Sequence, residues 1–367
     1  MAEFRLLQDG DKEQASALWQ QCFGDSDGFC RWFMSEQWNG EYSVAAFEGG
    51  KMVSMIHGRP YILRIRGREV PAVIMCGVAT APEYRHKGLM RRCMELFERN
   101  ARERGAYALF QSPVDFRIYQ WCMQYPSSAS AMITSEKTRG MRGCRYAVDS
   151  PCCEGFAGEL LRVYDRAMKG YSGYVIRSIE NMKNVLRGHA ADGGRLLRYI
   201  RDGKTLGYAL YFDYDGQLSS IEFIAENRAA AAGILSFLGA RGKGEKLSLR
   251  GPIDLCSLRL PACLKMAWAD TTAMAALNVP GLLHELGGFD DVAVIPENNG
   301  VFGFDGERKS VPADVRMDSG RLMQLLSGYM DIIQLEGEGC AEVLNRSAAD
   351  RLVDRLPALP CFTAEEY

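Results

Sequence analysis

The stretch IMCGVATAPEYRHKGLMR, from Ile74 to Arg91, decides how the chain is read. It opens as an apolar run, turns at Ala81-Pro82 and passes into a basic, glycine-containing segment. An amphipathic helix is predicted next, Met90–Arg104, with Met90, Cys93, Met94 and Phe97 on one face. A strand that opens through a short basic loop into a helix N-terminus suits an anion such as phosphate. Free backbone N–H groups and the helix dipole both favour negative charge there. Arg85, His86, Lys87 and Arg91 add donors, and Gly88 lets the backbone come close.

At 367 residues the chain is long enough for two or three domains. A net charge of −2 argues against a nucleic-acid surface, which needs a basic excess. The first residues carry acids and no long apolar core, so neither a signal nor a transit peptide is predicted. No apolar run reaches membrane-spanning length. Twelve cysteines without a CxxC, and four well-separated histidines, give no zinc spacing. A reduced, cytoplasmic protein with neither metal nor membrane partner is the expectation.

Working outward, helices are predicted at Glu13–Cys22 and Gly28–Trp38, with Asp27 capping the second. Strands follow at Tyr42–Phe47, Met52–Ile65 and Glu69–Thr80, turning at Gly49-Gly50 and Arg66-Gly67. Tyr107–Gln111 reads as a strand, Asp115–Gln124 as a short helix and Ser130–Thr138 as a closing strand. Beyond Cys144–Gly155 come helices Phe156–Met168 and Val175–Leu186, then a meander (Arg195–Asp202, Thr205–Asp213, Leu218–Ala225). A helix at Arg228–Leu238 and a strand at Lys246–Leu249 complete that part. From about Leu264, helices Val279–Leu286, Ser319–Leu326 and Ala348–Leu356 alternate with short strands near 292–295, 300–304 and 310–313. Pro357 stops the last helix.

The order Arg85-His86-Lys87-Gly88-Leu89-Met90 resembles the acetyl-CoA loop (R/Q-x-x-G-x-G/A) of the GNAT N-acetyltransferases, with Met90 in place of the usual small residue. The Gly-Leu-Met variant, the order of three units and Leu-Ser-Gly-Tyr at 326–329 are similar to the Eis (enhanced intracellular survival) type. This resemblance implies an α/β (α+β) fold of tandem GNAT-like domains and a sterol-carrier-like C-terminal domain. Its units would be residues 1–145 with the cofactor loop, 146–262 without one, and 263–367.

The resemblance implies an acetyl-CoA-dependent N-acetyltransferase acting on aminoglycoside, polyamine or lysine-type amines. The amine would attack the thioester directly. Gly77, Val78 and Thr80 would polarise the thioester, Arg85 to Arg91 (with Leu89 and Met90) would hold the pyrophosphate, and Ser112 would meet the pantetheine arm. Tyr119, in Ile118-Tyr119, matches the family's general acid, and Tyr125 stands near its following aromatic. The C-terminal carboxylate on Tyr367 would serve as base or amine orienter. Asp25 and Glu366 would hold a second ammonium. A homo-oligomer, such as a hexamer, is implied in the same way. Two other readings stay open: a tandem-GNAT acyl or aminoacyl transferase of the N-myristoyltransferase kind, and a non-catalytic CoA-sensing or lipid-binding protein.

Overall fold

The structure, a computed structural model, describes residues 2–135, 143–241, 247–252, 264–289, 292–296 and 300–365. Its first part contains β1 (Glu3–Leu6), α1 (Lys12–Phe23), α2 (Asp27–Trp32), β2 (Val44–Glu48), β3 (Lys51–Ile65) and β4 (Arg68–Thr80). Ser26, not Asp27, caps α2, because its hydroxyl accepts the Phe29 N–H. Asp27 sits one position too late and accepts from Gln20 instead. The β3–β4 hairpin turns through Arg66 and Gly67 at φ +48 and +78, left-handed backbone that suits the strand twist.

Helix α3 (Leu89–Glu103) and β5 (Ala108–Gln111) complete a strand–helix–strand crossover unit in which β4 and β5 run parallel. The buried residues Leu89, Cys93, Met94, Phe97 and Ala101 form the stripe that fixes α3 to one sheet face. Trp19, Phe29 and Phe33 from α1, α2 and the turn after it cover the other face. The expected helix at Asp115–Gln124 is two 3-10 turns, Phe116–Ile118 and Gln120–Cys122. Tyr119, at φ −113 and ψ 0, leaves helical geometry between the two turns, and Met123 at φ +57 ends the second.

Strand β6 (Tyr125–Ser135) follows, then β7 (Ala147–Pro151), α4 (Ala157–Ala167), β8 (Tyr174–Val175), α5 (Ile179–Ala191), β9 (Arg195–Arg201), β10 (Lys204–Tyr214) and β11 (Gln217–Ala225). Val175 and Ile176, expected as helix, instead bond to β3, and Ser178 then caps α5. Helix α6 (Arg228–Arg241) leads to β12 (Leu247–Gly251), parallel to β11. The strand–helix–strand arrangement of β4, α3 and β5 is thus repeated by β11, α6 and β12.

The strand Lys265–Ala276 (β13) was missed because its exposed half, Lys265 to Asp270, breaks the apolar pattern. It hydrogen-bonds to both β5 and β6, joining the two repeats. Among the described residues the main sheet runs β1-β2-β3-β4-β5-β13-β6-β12-β11-β10-β9-β7, with β8 beside β3.

The remaining chain forms α7 (Val279–Leu286), β14 (Ala293–Pro296), β15 (Phe302–Gly303), β16 (Val315–Met317), α8 (Ser319–Ser327), α9 (Ile332–Gly337), β17 (Glu342–Val343) and α10 (Arg346–Arg355). The strand expected at 310–313 lies instead at 315–317, and α9 had no predicted counterpart. This part carries a separate sheet, β15-β14-β16-β17. Its core is continuous with the lower end of the first repeat: Leu63, Ile74 and Phe110 share a cluster with Leu282, Phe304 and Leu325. Arg66 adds a polar staple, donating to the carbonyls of Leu325, Leu326 and Pro357 at 2.8–2.9 Å. Two of those carbonyls belong to the last turn of α8, where intrahelical partners run out, although Leu325 also accepts from the Gly328 N–H at 3.2 Å.

Candidate active site

Strands β4 and β5 pair only over Ala72–Ile74 and Ala108–Phe110 and then part. At the same level β4 bulges. Met55 faces Ala79 and His57 faces Cys76, so Gly77 and Val78 together oppose Ile56 alone. Gly77 takes φ +56, and a Cβ there would stand 2.3 Å from Trp19 Cζ3. Only glycine fits both requirements. The bulge turns the backbone of residues 76–78 into a cleft of about 510 Å³, lined also by Asp25, Ser112, Tyr119, Arg250 and Asp270.

Beyond Thr80 the chain enters the basic loop. Thr80 Oγ1 shares a 2.8 Å hydrogen bond with Ser54, and its carbonyl accepts from Arg85 Nε at 3.2 Å, which fixes the loop to the strand end. His86 and Gly88 both hold left-handed backbone, φ +62 and +73. Gly88 caps α3, and no side chain bonds the first helical N–H groups. The loop residues 85–88 are exposed, Leu89 is buried in the core below them and Met90 is half-buried. Lys87 Nζ lies 4.4 Å above the Tyr84 ring, and the Arg91 guanidinium 4.6 Å above Trp121. An uncapped helix start beside Arg85, Lys87 and Arg91 fits a phosphate-bearing arm running from the loop into the cleft.

Tyr119 packs its ring among Val73, Met75, Met94 and Leu109, with only 8% of the residue exposed. Burial, with a smaller contribution from Cys122, pushes its pKa up to about 12, so the phenol keeps its proton at neutral pH. Asp25 accepts from Trp19 Nε1 at 2.8 Å. Tyr125 is absent from the cleft lining. Its hydroxyl is 3.2 Å from Asp318 and its ring lies under Arg321, which ties β6 to α8.

Glu366 and Tyr367 lie outside the described residues, but the segment before them enters the molecule. Phe362 N–H donates to Ser172, and Thr363 Oγ1 to Gly173. Ser112 Oγ then donates to the Glu365 carbonyl at 3.5 Å, on the cleft wall. Cys361, Phe362, Thr363, Ala364 and Glu365 are all buried.

Next to the cleft, α2, α5, β10, β11 and this segment enclose a smaller cavity of about 100 Å³. Sequence reasoning missed it, because no local motif reports a space between distant elements. Trp32, Gln37, His189 and Glu365 line it, and each has a buried polar atom without a hydrogen-bond partner among the described residues. His189 is held neutral by burial and its Nε2 faces the Arg195 carbonyl at 3.1 Å. A carbonyl can only accept, so Nε2 carries the proton and Nδ1 is left as an acceptor. Open acceptors are then His189 Nδ1, Gln37 Oε1 and Glu365 Oε2, against donors at Trp32 Nε1 and Gln37 Nε2.

Residues 3–121 match the Acetyltransferase (GNAT) domain family. The chain thus carries a GNAT acetyltransferase domain and is an enzyme of the acetyltransferase class, one that draws on an acyl-CoA cosubstrate. No curated protein matches the sequence. Solved structures share the fold over the whole length. A conserved protein of unknown function and probable N-acyltransferase from Enterococcus faecalis superposes with a TM-score of 0.82 at 16% identity, covering 100% of both chains. A GCN5-related N-acetyltransferase from Anabaena variabilis gives 0.80 at 14%, again over 100% of both. Eis1 from Mycobacterium abscessus gives 0.75 at 17%, with the same coverage. The mixed α/β architecture with its extended sheet is shared by all three. Among the described residues no helix is long and apolar enough to cross a membrane, and no group of side chains is arranged to hold a metal.

Proposed function

We propose that the chain is an Eis-like acetyltransferase that moves the acetyl group of acetyl-CoA to a primary amine. The observation that carries this reading is the parting of β4 and β5 around a glycine bulge, with a basic, uncapped helix start on one side and Tyr119 on the other. Acetyl-CoA would supply the activated thioester. Arg85, His86, Lys87, Gly88 and Arg91, with the N–H groups of Leu89 and Met90, would hold its pyrophosphate, and Ser112 would meet the pantetheine arm. Backbone N–H groups of Gly77 and Val78, with Thr80 ending the strand, would face the acetyl oxygen. Tyr119 would deliver its proton to the departing sulfur.

The acceptor is read as an amine from the resemblance to the Eis type, and the carboxylates of Asp25 and Asp270 on the cleft lining suit an ammonium. Aminoglycosides, polyamines and lysine side chains are the classes considered. Asp25 and Glu366 would hold a second ammonium, and the Tyr367 carboxylate would act as base or orient the amine. We assign residues 1–145 to the cofactor-binding unit, 146–262 to a second GNAT-like unit and 263–367 to a sterol-carrier-like unit. A cytoplasmic homo-oligomer, hexameric as in the resemblance, goes with this reading. Thiol release from acetyl-CoA against a panel of these amines tests it. Turnover with any of them supports the reading. A CoA-dependent rise in melting temperature with silence across the panel would favour a CoA-binding protein instead.

A further inference from the structure

Arg177 stands between β8 and α5, with its side chain 1% exposed. Its Nη1 and Nη2 donate to the two oxygens of Glu222 at 2.8 and 2.7 Å. Glu222 is held in turn by the Tyr208 hydroxyl, and the guanidinium carbon lies 4.2 Å above the Tyr164 ring. The guanidinium is therefore fixed along its Nη edge and over one face, and its Nε points at a further partner, Glu365 Oε1, at 2.6 Å. Burying three charges is costly unless each is paired, and here one cation serves two carboxylates. Glu222 takes the bidentate share. Glu365 is held by a single contact, and burial raises its pKa against the lowering by Arg177.

That single contact has a geometric consequence. The side chain of Glu365 is anchored in the second repeat, whereas its own carbonyl is the one met by Ser112 in the cleft. We infer that Arg177 is a positioning residue for acyl transfer: Pro360 to Thr363 are anchored by their own hydrogen bonds, and the ion pair with Arg177 holds the last part of the segment, at Glu365, against Ser112 on the cleft wall. The inference rests on the acetyltransferase reading. It adds a residue of the second repeat, remote in sequence from the cofactor loop, to the set on which turnover depends.

The test uses the full chain with Glu365→Ala, Arg177→Met and Arg177→Lys. Glu365→Ala leaves Arg177 paired with Glu222, so it keeps a charge-balanced core even if Arg177→Met fails to fold. Amide exchange of peptides spanning 360–365 is read alongside kcat and the KM for acetyl-CoA. In Glu365→Ala, exchange at the end of that segment, Ala364 and residue 365, should rise at least about tenfold and kcat fall about 100-fold, the scale of a misplacement near 1 Å. KM for acetyl-CoA should change far less than kcat, since the basic loop that would hold the pyrophosphate does not touch the pair. Arg177→Lys, which keeps the charge, should recover part of both effects. Unchanged exchange, or raised exchange with unchanged kcat, overturns the inference. A wild-type protein that releases no thiol with any amine overturns the acyl-transfer reading and the positioning role together. The exchange measurement then still decides whether Arg177 holds the segment.

Discussion

Ser112 Oγ and the carbonyl oxygen of Glu365 lie 3.5 Å apart although 253 positions separate them in sequence. The contact brings the far end of the sequence to the mouth of a cleft built by the first repeat, and this gives the acid-rich ending a chemical context. Deleting Glu366 and Tyr367 should therefore lower turnover by about 100-fold, within the range for loss of a proton-transfer or orienting group. Acetyl-CoA affinity, measured by calorimetry, should stay nearly intact. A truncated enzyme with full turnover would remove those two residues from the mechanism.

The buried phenol of Tyr119 makes a second case. Tyr119→Phe keeps the ring packing among Val73, Met75 and Met94 and removes only the proton that burial retains. Turnover should fall about 100-fold with unchanged cofactor affinity and a melting temperature within a few degrees of the wild type. The high-pH limb of the rate profile should disappear in the variant. Equal turnover in the two enzymes would make this tyrosine a packing residue.

Much of this was legible locally. The helix stripe of Cys93, Met94 and Phe97, the Arg66-Gly67 hairpin turn and the basic loop from Arg85 to Gly88 are short-range patterns, and the structure keeps each of them. What sequence hid was long-range. Lys265–Ala276 has an exposed, polar first half, so nothing in its pattern shows that it bridges β5 and β6. The Arg177–Glu222–Glu365 cluster joins three distant segments. Tyr125 misled in the opposite sense, since a nearly matching spacing placed it beside Tyr119 while its hydroxyl pairs with Asp318.

On the proposed reading, the basic loop from Arg85 to Gly88 would separate cofactor binding from chemistry. Arg85→Ala releases the strand-end carbonyl of Thr80 and removes a cation from the helix start. It should raise KM for acetyl-CoA about tenfold, the value of one charge-assisted contact, with kcat little changed. Two glycines give a sharper contrast. Gly88→Ala meets nothing within 4 Å and carries only the left-handed backbone penalty of about 1–2 kcal/mol. Gly77→Ala adds a Cβ 2.3 Å from Trp19 and should cost about 1–3 kcal/mol more from overpacking. Urea unfolding of both variants measures the difference, and equal midpoints would mean that the bulge relaxes freely.

His57 offers a test of the first repeat that needs no substrate. Its ring sits among Trp19, Phe33 and Trp38 at centroid distances of 5.6, 5.4 and 5.5 Å, and neither nitrogen has a hydrogen-bond partner among the described residues. Burial lowers its pKa to about 3. An unfolded histidine titrates near about 6.5. Between those two values the unfolded chain therefore takes up a proton that the folded chain refuses. Stability present above pH 6.5 should be lost as the pH falls towards 3, at about 1.4 kcal/mol per pH unit from this one group. Carboxylates add their own acid limb, so the informative quantity is the difference between the wild type and His57→Leu. Unfolding free energies from urea titrations between pH 7 and pH 4.5 should show the wild type losing about 3 kcal/mol relative to His57→Leu as the histidine's contribution is withdrawn. Parallel curves would mean that the imidazole is solvated and that the aromatic cage around it opens in solution.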